Sequence, residues 1–103
     1  MAGAKKKATK RTLKPGEDLV GSMVEDFKGK LLKIINQEIK ELSIDMKDVK
    51  DIDSTGLGVL IAAKNSLDQS GGQLNLKNVS ENIEIFLQVL GLESYLNVNT
   101  GQH

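Results

Sequence analysis

The sequence predicts an α/β fold: two layers, with a mostly parallel or mixed sheet of about four strands and helices packed on one face. Three observations carry this. Apolar residues switch between a period of about 2 and a period of about 3.6 along the chain, in the order β-α-β-α-β-α-β. Such an order needs crossover helices, and crossovers join parallel strands. The strand segments alternate apolar with polar residues, so one sheet face is expected to meet water. At 103 residues there is no room for a second core.

The elements follow in order. Residues 1–8 read as a disordered basic tail, and residues 9–103 as a single domain. Residues 9–14 are expected to form a polar edge strand, closed by the Pro15-Gly16 turn. A first helix is expected over 18–36, with Asp18 as its N-cap and Val20, Val24, Phe27, Leu31 and Ile34/Ile35 as its stripe. Gly21 and Gly29 weaken it, so packing must hold it. Leu42, Ile44 and Met46 then alternate with Glu41, Ser43 and Asp45 in a strand over 39–46. A second helix is expected from Thr55 to Gln69, ended by Ser70-Gly71-Gly72. Leu74 and Leu76 mark another strand. Ser80 caps a third helix over 81–90, with Ile83, Phe86, Leu87 and Leu90 as its stripe and Gly91 at its exit. Leu96 and Val98 flank Asn97 in a last short strand. The helix stripes, Met23 and Met46 are expected to form the core.

Composition removes several function classes. The chain has no Cys and its single His is His103, which excludes disulfides, thiolate sites, histidine metal clusters and a Ser–His–Asp triad. No cofactor or metal is expected. Aromatics are 3%, too few for a base-stacking platform. Lys+Arg and Asp+Glu are 14 each, but residues 1–14 hold six bases and no acid. The body is therefore acidic, which argues against direct nucleic-acid binding. No apolar run is long enough to span a bilayer, and none follows the N-terminal charges as in a signal peptide, so a cytoplasmic protein is expected.

Residues 51–58, Asp-Ile-Asp-Ser-Thr-Gly-Leu-Gly, carry the functional reading. They leave a strand and open a helix, at the sheet edge where α/β proteins place sites. Ser54 and Thr55 fall at the N-cap or in the first turn, and Gly56 and Gly58 let another surface approach the backbone. Ordinary helix capping accounts for the same residue types. The segment is neither a Walker A loop nor a dinucleotide fingerprint: no Lys follows the glycines, and Gly56-Leu57-Gly58 leads into Val59, Leu60 and Ile61. A phosphate on a hydroxyl here would face helix N-terminal N–H groups while adding charge of about −1.5 to −2 beside Asp51 and Asp53. Such a change would eject a docked partner without reshaping the fold. Asp53 reads equally as a residue that positions Ser54 and as an N-cap or Asx-turn. Thr55 is the alternative phosphoacceptor.

Asp53-Ser54-Thr55-Gly56-Leu57-Gly58-Val59-Leu60 resembles the signature of STAS domains, specifically the bacterial anti-sigma factor antagonists. Ser70-Gly71-Gly72-Gln73-Leu74 is similar to the family's Gly-Gly turn, and Ile85-Phe86-Leu87-Gln88-Val89-Leu90-Gly91-Leu92 to its closing helix and Gly-Leu exit. The resemblance implies a partner switch. Unphosphorylated, such a protein binds an anti-sigma factor that is also a serine kinase, releasing the sigma factor. The kinase phosphorylates the Ser after the Asp, here Ser54, the complex separates, and a PP2C-type phosphatase restores it. The antagonist is not an enzyme. The implied partner-binding residues are Asp18, Asp53, Ser54, Thr55, Gly56, Leu57 and Gly58. Two departures stand out. Family members usually open with a hairpin of two apolar strands, where residues 1–14 here are short and basic. The family's Gly-Glu-Leu-Asp-like turn reads Gly16-Glu17-Asp18-Leu19 here. These departures motivate an alternative, a STAS adaptor in a chemosensory or two-component complex. The basic tail motivates a further one, a subunit of a membrane transport assembly. Oligomeric state is left open.

Overall fold

The structure is a computed structural model, and it describes residues 10–100. The basic tail assigned to residues 1–8 lies outside the described residues. Four parallel strands, β1 (Lys10–Leu13), β2 (Glu41–Asp45), β3 (Gln73–Val79) and β4 (Val98–Thr100), form one sheet in the order β1-β2-β3-β4. The helices α1 (Val24–Ile35), α2 (Ser54–Gln69) and α3 (Glu81–Val89) form the connections. Each crossover moves one strand in the same direction, and the right-handed rule then puts the helices on one face.

The register shows why the sheet has an apolar and a polar face, although the centre of the polar face, Ser43 and Asn75, is buried rather than, as expected, open to water. Leu13, Ile44, Leu76 and Val98 are successive partners across all four strands, beside the row Arg11, Leu42 and Leu74. The helices bury Val24, Phe27, Leu31 and Ile34, then Leu57, Leu60, Ala63 and Leu67, then Ile83 and Leu87, in a single cluster with the apolar face. The opposite face carries the rows Lys10-Glu41-Gln73 and Thr12-Ser43-Asn75. Its buried Asn75 is bonded within the face: it donates to Glu41 Oε2 at 2.7 Å and accepts from Gln73 Nε2 at 3.1 Å and from Asn97 Nδ2.

Several expectations change. The first helix does not begin at residue 18, and Asp18 is not its cap. Leu19 instead forms a parallel bridge with Ile52, Gly21–Met23 make a 3₁₀ turn, and α1 starts at Val24. Gly21 therefore lies before the helix, where its φ of 53° requires a residue without a Cβ constraint. Met23 is exposed rather than core. On α3 only Ile83 and Leu87 are buried, while Phe86 and Leu90 are exposed beside Ile85 and Val89. The last strand also moves: Leu96 and Asn97, expected in it, lie in a turn where Asn97 takes φ 53° and its N–H bonds to the Ser94 carbonyl, and β4 begins at Val98. The landmarks at the helix ends hold: Ser80 accepts from the Ile83 N–H, Gly91 adopts φ 71°, and Gly71 adopts φ 79° at the end of α2.

Candidate functional site

A parallel sheet ends all its strands on one edge, so the segments after β1, β2 and β3 meet there. The meeting is made with hydrogen bonds. The Leu19 N–H donates to the Asp51 carbonyl at 3.0 Å, and the Asp53 N–H donates to the Leu19 carbonyl at 3.2 Å. Asp18 Oδ1 accepts from the Lys50 N–H at 2.8 Å and the Asp51 N–H at 3.2 Å. From the third segment, Asn82 Nδ2 donates to the Lys50 carbonyl at 3.3 Å. The loop before α2 is thus held from both sides.

Asp53 is the N-cap of α2. Its Oδ1 accepts from the Thr55 N–H at 3.0 Å and the Gly56 N–H at 3.1 Å, as a capping aspartate does. Its Oδ2 accepts from the Gly21 N–H at 2.9 Å, so one carboxylate closes the helix and ties it to the 3₁₀ turn. The N–H groups of Gly56, Gly21 and Thr55 hold the Asp53 carboxyl below the usual aspartate range. It is ionised at neutral pH. At the other end of the turn after β2, the Asn78 side chain and the Lys47 N–H hold Asp45 low as well.

Ser54 is the first residue of α2 and is exposed. Thr55 is exposed beside it. Gly56 and Leu57 are buried, and Gly58, one turn beyond Ser54, is exposed with open space where a Cβ would stand. The two glycines therefore do different work. Gly56 lets the Leu19 backbone approach within this chain, while Gly58 leaves the surface low for another molecule. The expectation that a phosphate here would meet free N–H groups is corrected: Asp53 already occupies those of Thr55 and Gly56. A phosphate on Ser54 would instead adjoin an ionised carboxylate.

The structure brings Asp18, Asp53, Ser54, Thr55, Gly56, Leu57 and Gly58 to one edge. Sequence reasoning missed Leu19 and Gly21 as parts of this site. The signal for Gly21 was its type, a glycine at the head of an apparent helix. No local signal marks Leu19, whose partner is 33 residues away at Ile52. α3, whose Asn82 reaches the loop, carries an exposed apolar surface, with Ile85 51% and Val89 79% exposed.

An α/β domain with helices on one face and a serine at the strand-edge start of α2 defines a class, and the comparisons agree with it. The sequence profile of the STAS domain matches residues 4–102. The chain belongs to the STAS domain family. It is 36% identical to the anti-sigma-B factor antagonist of Bacillus subtilis over 59 residues, covering 57% of this chain and 54% of that protein's length. It is 26% identical to the anti-sigma-B factor antagonist of Staphylococcus aureus over 89 residues, covering 86% of this chain and 82% of that protein. Among solved structures, the phosphorylated form of the Bacillus cell fate determinant SpoIIAA superposes with a TM-score of 0.65 at 22% identity, over 92% of this chain and 86% of that one. A sulfate transporter family protein from Wolinella succinogenes gives 0.68 at 21%, over 87% of this chain and 75% of that one. Both likenesses concern the fold. Among the described residues, no helix is long and apolar enough to cross a membrane.

Proposed function

We propose that this chain is a cytoplasmic anti-sigma factor antagonist that works by partner switching. The observation that carries the reading is Ser54, exposed at the first position of α2 beside the ionised Asp53 and one turn from the open Gly58. In the unmodified state an anti-sigma serine kinase docks on this edge. The low backbone at Gly58 admits close approach, and the α3 face of Ile85, Phe86 and Val89 extends the contact. Asp18 and Asp53 act mainly by holding the loop in shape, because their carboxylates are engaged with backbone N–H groups.

The kinase then transfers the γ-phosphoryl group of ATP. A bond forms between Ser54 Oγ and phosphorus, the bond to the β-phosphate oxygen breaks, ADP leaves, and the hydroxyl proton passes to the kinase. The phosphate arrives beside the Asp53 carboxylate with Asp51 near by, and its two N-terminal N–H donors are already occupied. Repulsion and desolvation then make the docked complex unfavourable. A PP2C-type phosphatase hydrolyses the phosphate and restores binding. The chain itself catalyses nothing.

Titration of the cognate kinase with Ser54→Ala and Ser54→Asp variants tests this. Ser54→Ala binds like the wild type and is not phosphorylated, and Ser54→Asp binds at least tenfold more weakly. Equal binding of both variants would overturn the switch. Phosphate mapped to Thr55 rather than Ser54 would move the acceptor by one residue.

A further inference from the structure

A second surface lies on the other flank of α2. Residues Ser54, Gly58 and Ile61 follow one line of the helix, and Val59, Ala62 and Ser66 follow another, turned towards α1. Along this second line α1 and α2 leave a slot of about 80 Å³, walled by Leu32 and Ile35 of α1 and by Val59 and Ala62 of α2. Lys28 and Ser66 supply its polar lining.

Three properties select an occupant. The first is size: the slot exceeds the roughly 10–15 Å³ of cavity that holds one water and falls short of the roughly 150 Å³ that admits benzene. It suits one aliphatic side chain. The second is polarity. The walls are apolar, yet Leu32 is 52% exposed, so the apolar surface is open rather than sealed. The third is charge. Lys28 is the only ionisable residue in the lining, and no carboxylate lines the slot. Among the described residues Lys28 joins no ion pair, whereas Lys30 pairs with Asp26 at 3.8 Å on the same helix.

We propose that the α1–α2 slot is a docking site for a protein partner that inserts one branched aliphatic side chain and sets a carboxylate, within one helical turn of it, against Lys28. This is helix-in-groove recognition with a single anchor. The cation fixes orientation and selects an acidic partner over a basic one. The contact does not involve Ser54, so it persists whichever state that residue is in.

The test uses the full chain with methyl labelling and a short acetylated, amidated helical peptide that carries one leucine and a glutamate four positions later. Titration should give saturable shifts of the Leu32, Ile35 and Val59 methyl signals. Ala62→Leu fills the slot and should weaken binding at least tenfold while leaving the spectrum folded. Leu32→Ser removes a wall from an exposed position and should do the same. Lys28→Glu should weaken the glutamate peptide and strengthen a peptide with lysine in its place. Ser54→Asp should bind like the wild type, which separates this site from the switch. Absence of saturable shifts at millimolar peptide, or binding unchanged by both Ala62→Leu and Leu32→Ser, would overturn the proposal. So would loss of binding in Ser54→Asp.

Discussion

Gly56 and Leu19 sit so close that a Cβ at residue 56 would stand 2.2 Å from the Leu19 carbonyl oxygen and 2.9 Å from its Cβ. The start of α2 is pressed onto a strand-like residue whose side chain is fully buried and whose carbonyl accepts the Asp53 N–H. The serine two positions earlier inherits its location from that contact.

Gly56→Ala should therefore destabilise the fold by about 1–3 kcal/mol, since backbone must move to admit the methyl group. Gly58→Ala meets open space on a helix and should gain about 0.5–1 kcal/mol. Denaturant midpoints separate the two. Under the proposed function Gly58→Ala should nonetheless bind the kinase less well, because the added methyl group stands on the docking surface.

Asp53 makes stability depend on acid. Its carboxyl is held below the ordinary value of about 3.9, so the folded state binds its proton less readily than the unfolded chain. That contribution is full above about pH 4 and is lost as pH falls through the lowered folded value. Asp53→Asn should show a lower urea midpoint at pH 7 and a smaller further drop towards pH 3 than the wild type. Equal drops in the two proteins would remove Asp53 from the account.

Asp18 should act on the loop rather than on the core. Asp18→Ala removes the acceptor of the Lys50 and Asp51 N–H groups. Hydrogen exchange at those two amides should quicken by at least tenfold, while amides in β2 and β3 keep their protection. Uniform loss of protection would show that Asp18 supports the whole fold.

On α3 the buried and exposed residues should separate cleanly. Leu87→Ala should cost about 2–5 kcal/mol, as for a buried leucine. Val89→Ser, at 79% exposed, should change stability by no more than about 0.5 kcal/mol. Under the proposed function its effect should instead fall on kinase binding.

Much of the fold was legible because its signals are local. The alternation of Leu42, Ile44 and Met46, the Ser80 cap and the Gly91 exit each act within a few residues. α2 began one residue before its expected start because Asp53, not Ser54, is the cap. The misreading at Asp18 has a physical cause. Leu19, Val20 and Val24 continue a helical spacing by chance, while the interaction that makes Leu19 extended comes from Ile52. Periodicity also marked the core side of α3 correctly but overstated its width, since Phe86 and Leu90 face outward.

The site divides in the same way. Ser54 and Asp53 stood out in a short segment, and their position at a helix start followed from residue type. The bonds from Asp53 to Gly21 and from Asp18 to Lys50 each span 32 residues, and spacing alone does not announce them. They exist because parallel strands end on a common edge.

The strand order has a further consequence for how the domain is wired to anything joined to it. With β1 and β4 at opposite margins, Lys10 and Val98 are separated by three interstrand gaps, roughly 14 Å across the sheet. Because the strands are parallel, the chain enters β1 from one end of the sheet and leaves β4 at the other. The start of β1 and the end of β4 therefore lie at diagonally opposed corners. Such a module suits in-line placement between flanking segments, and tension along the polypeptide would load the marginal strands before it reached the edge that carries Ser54.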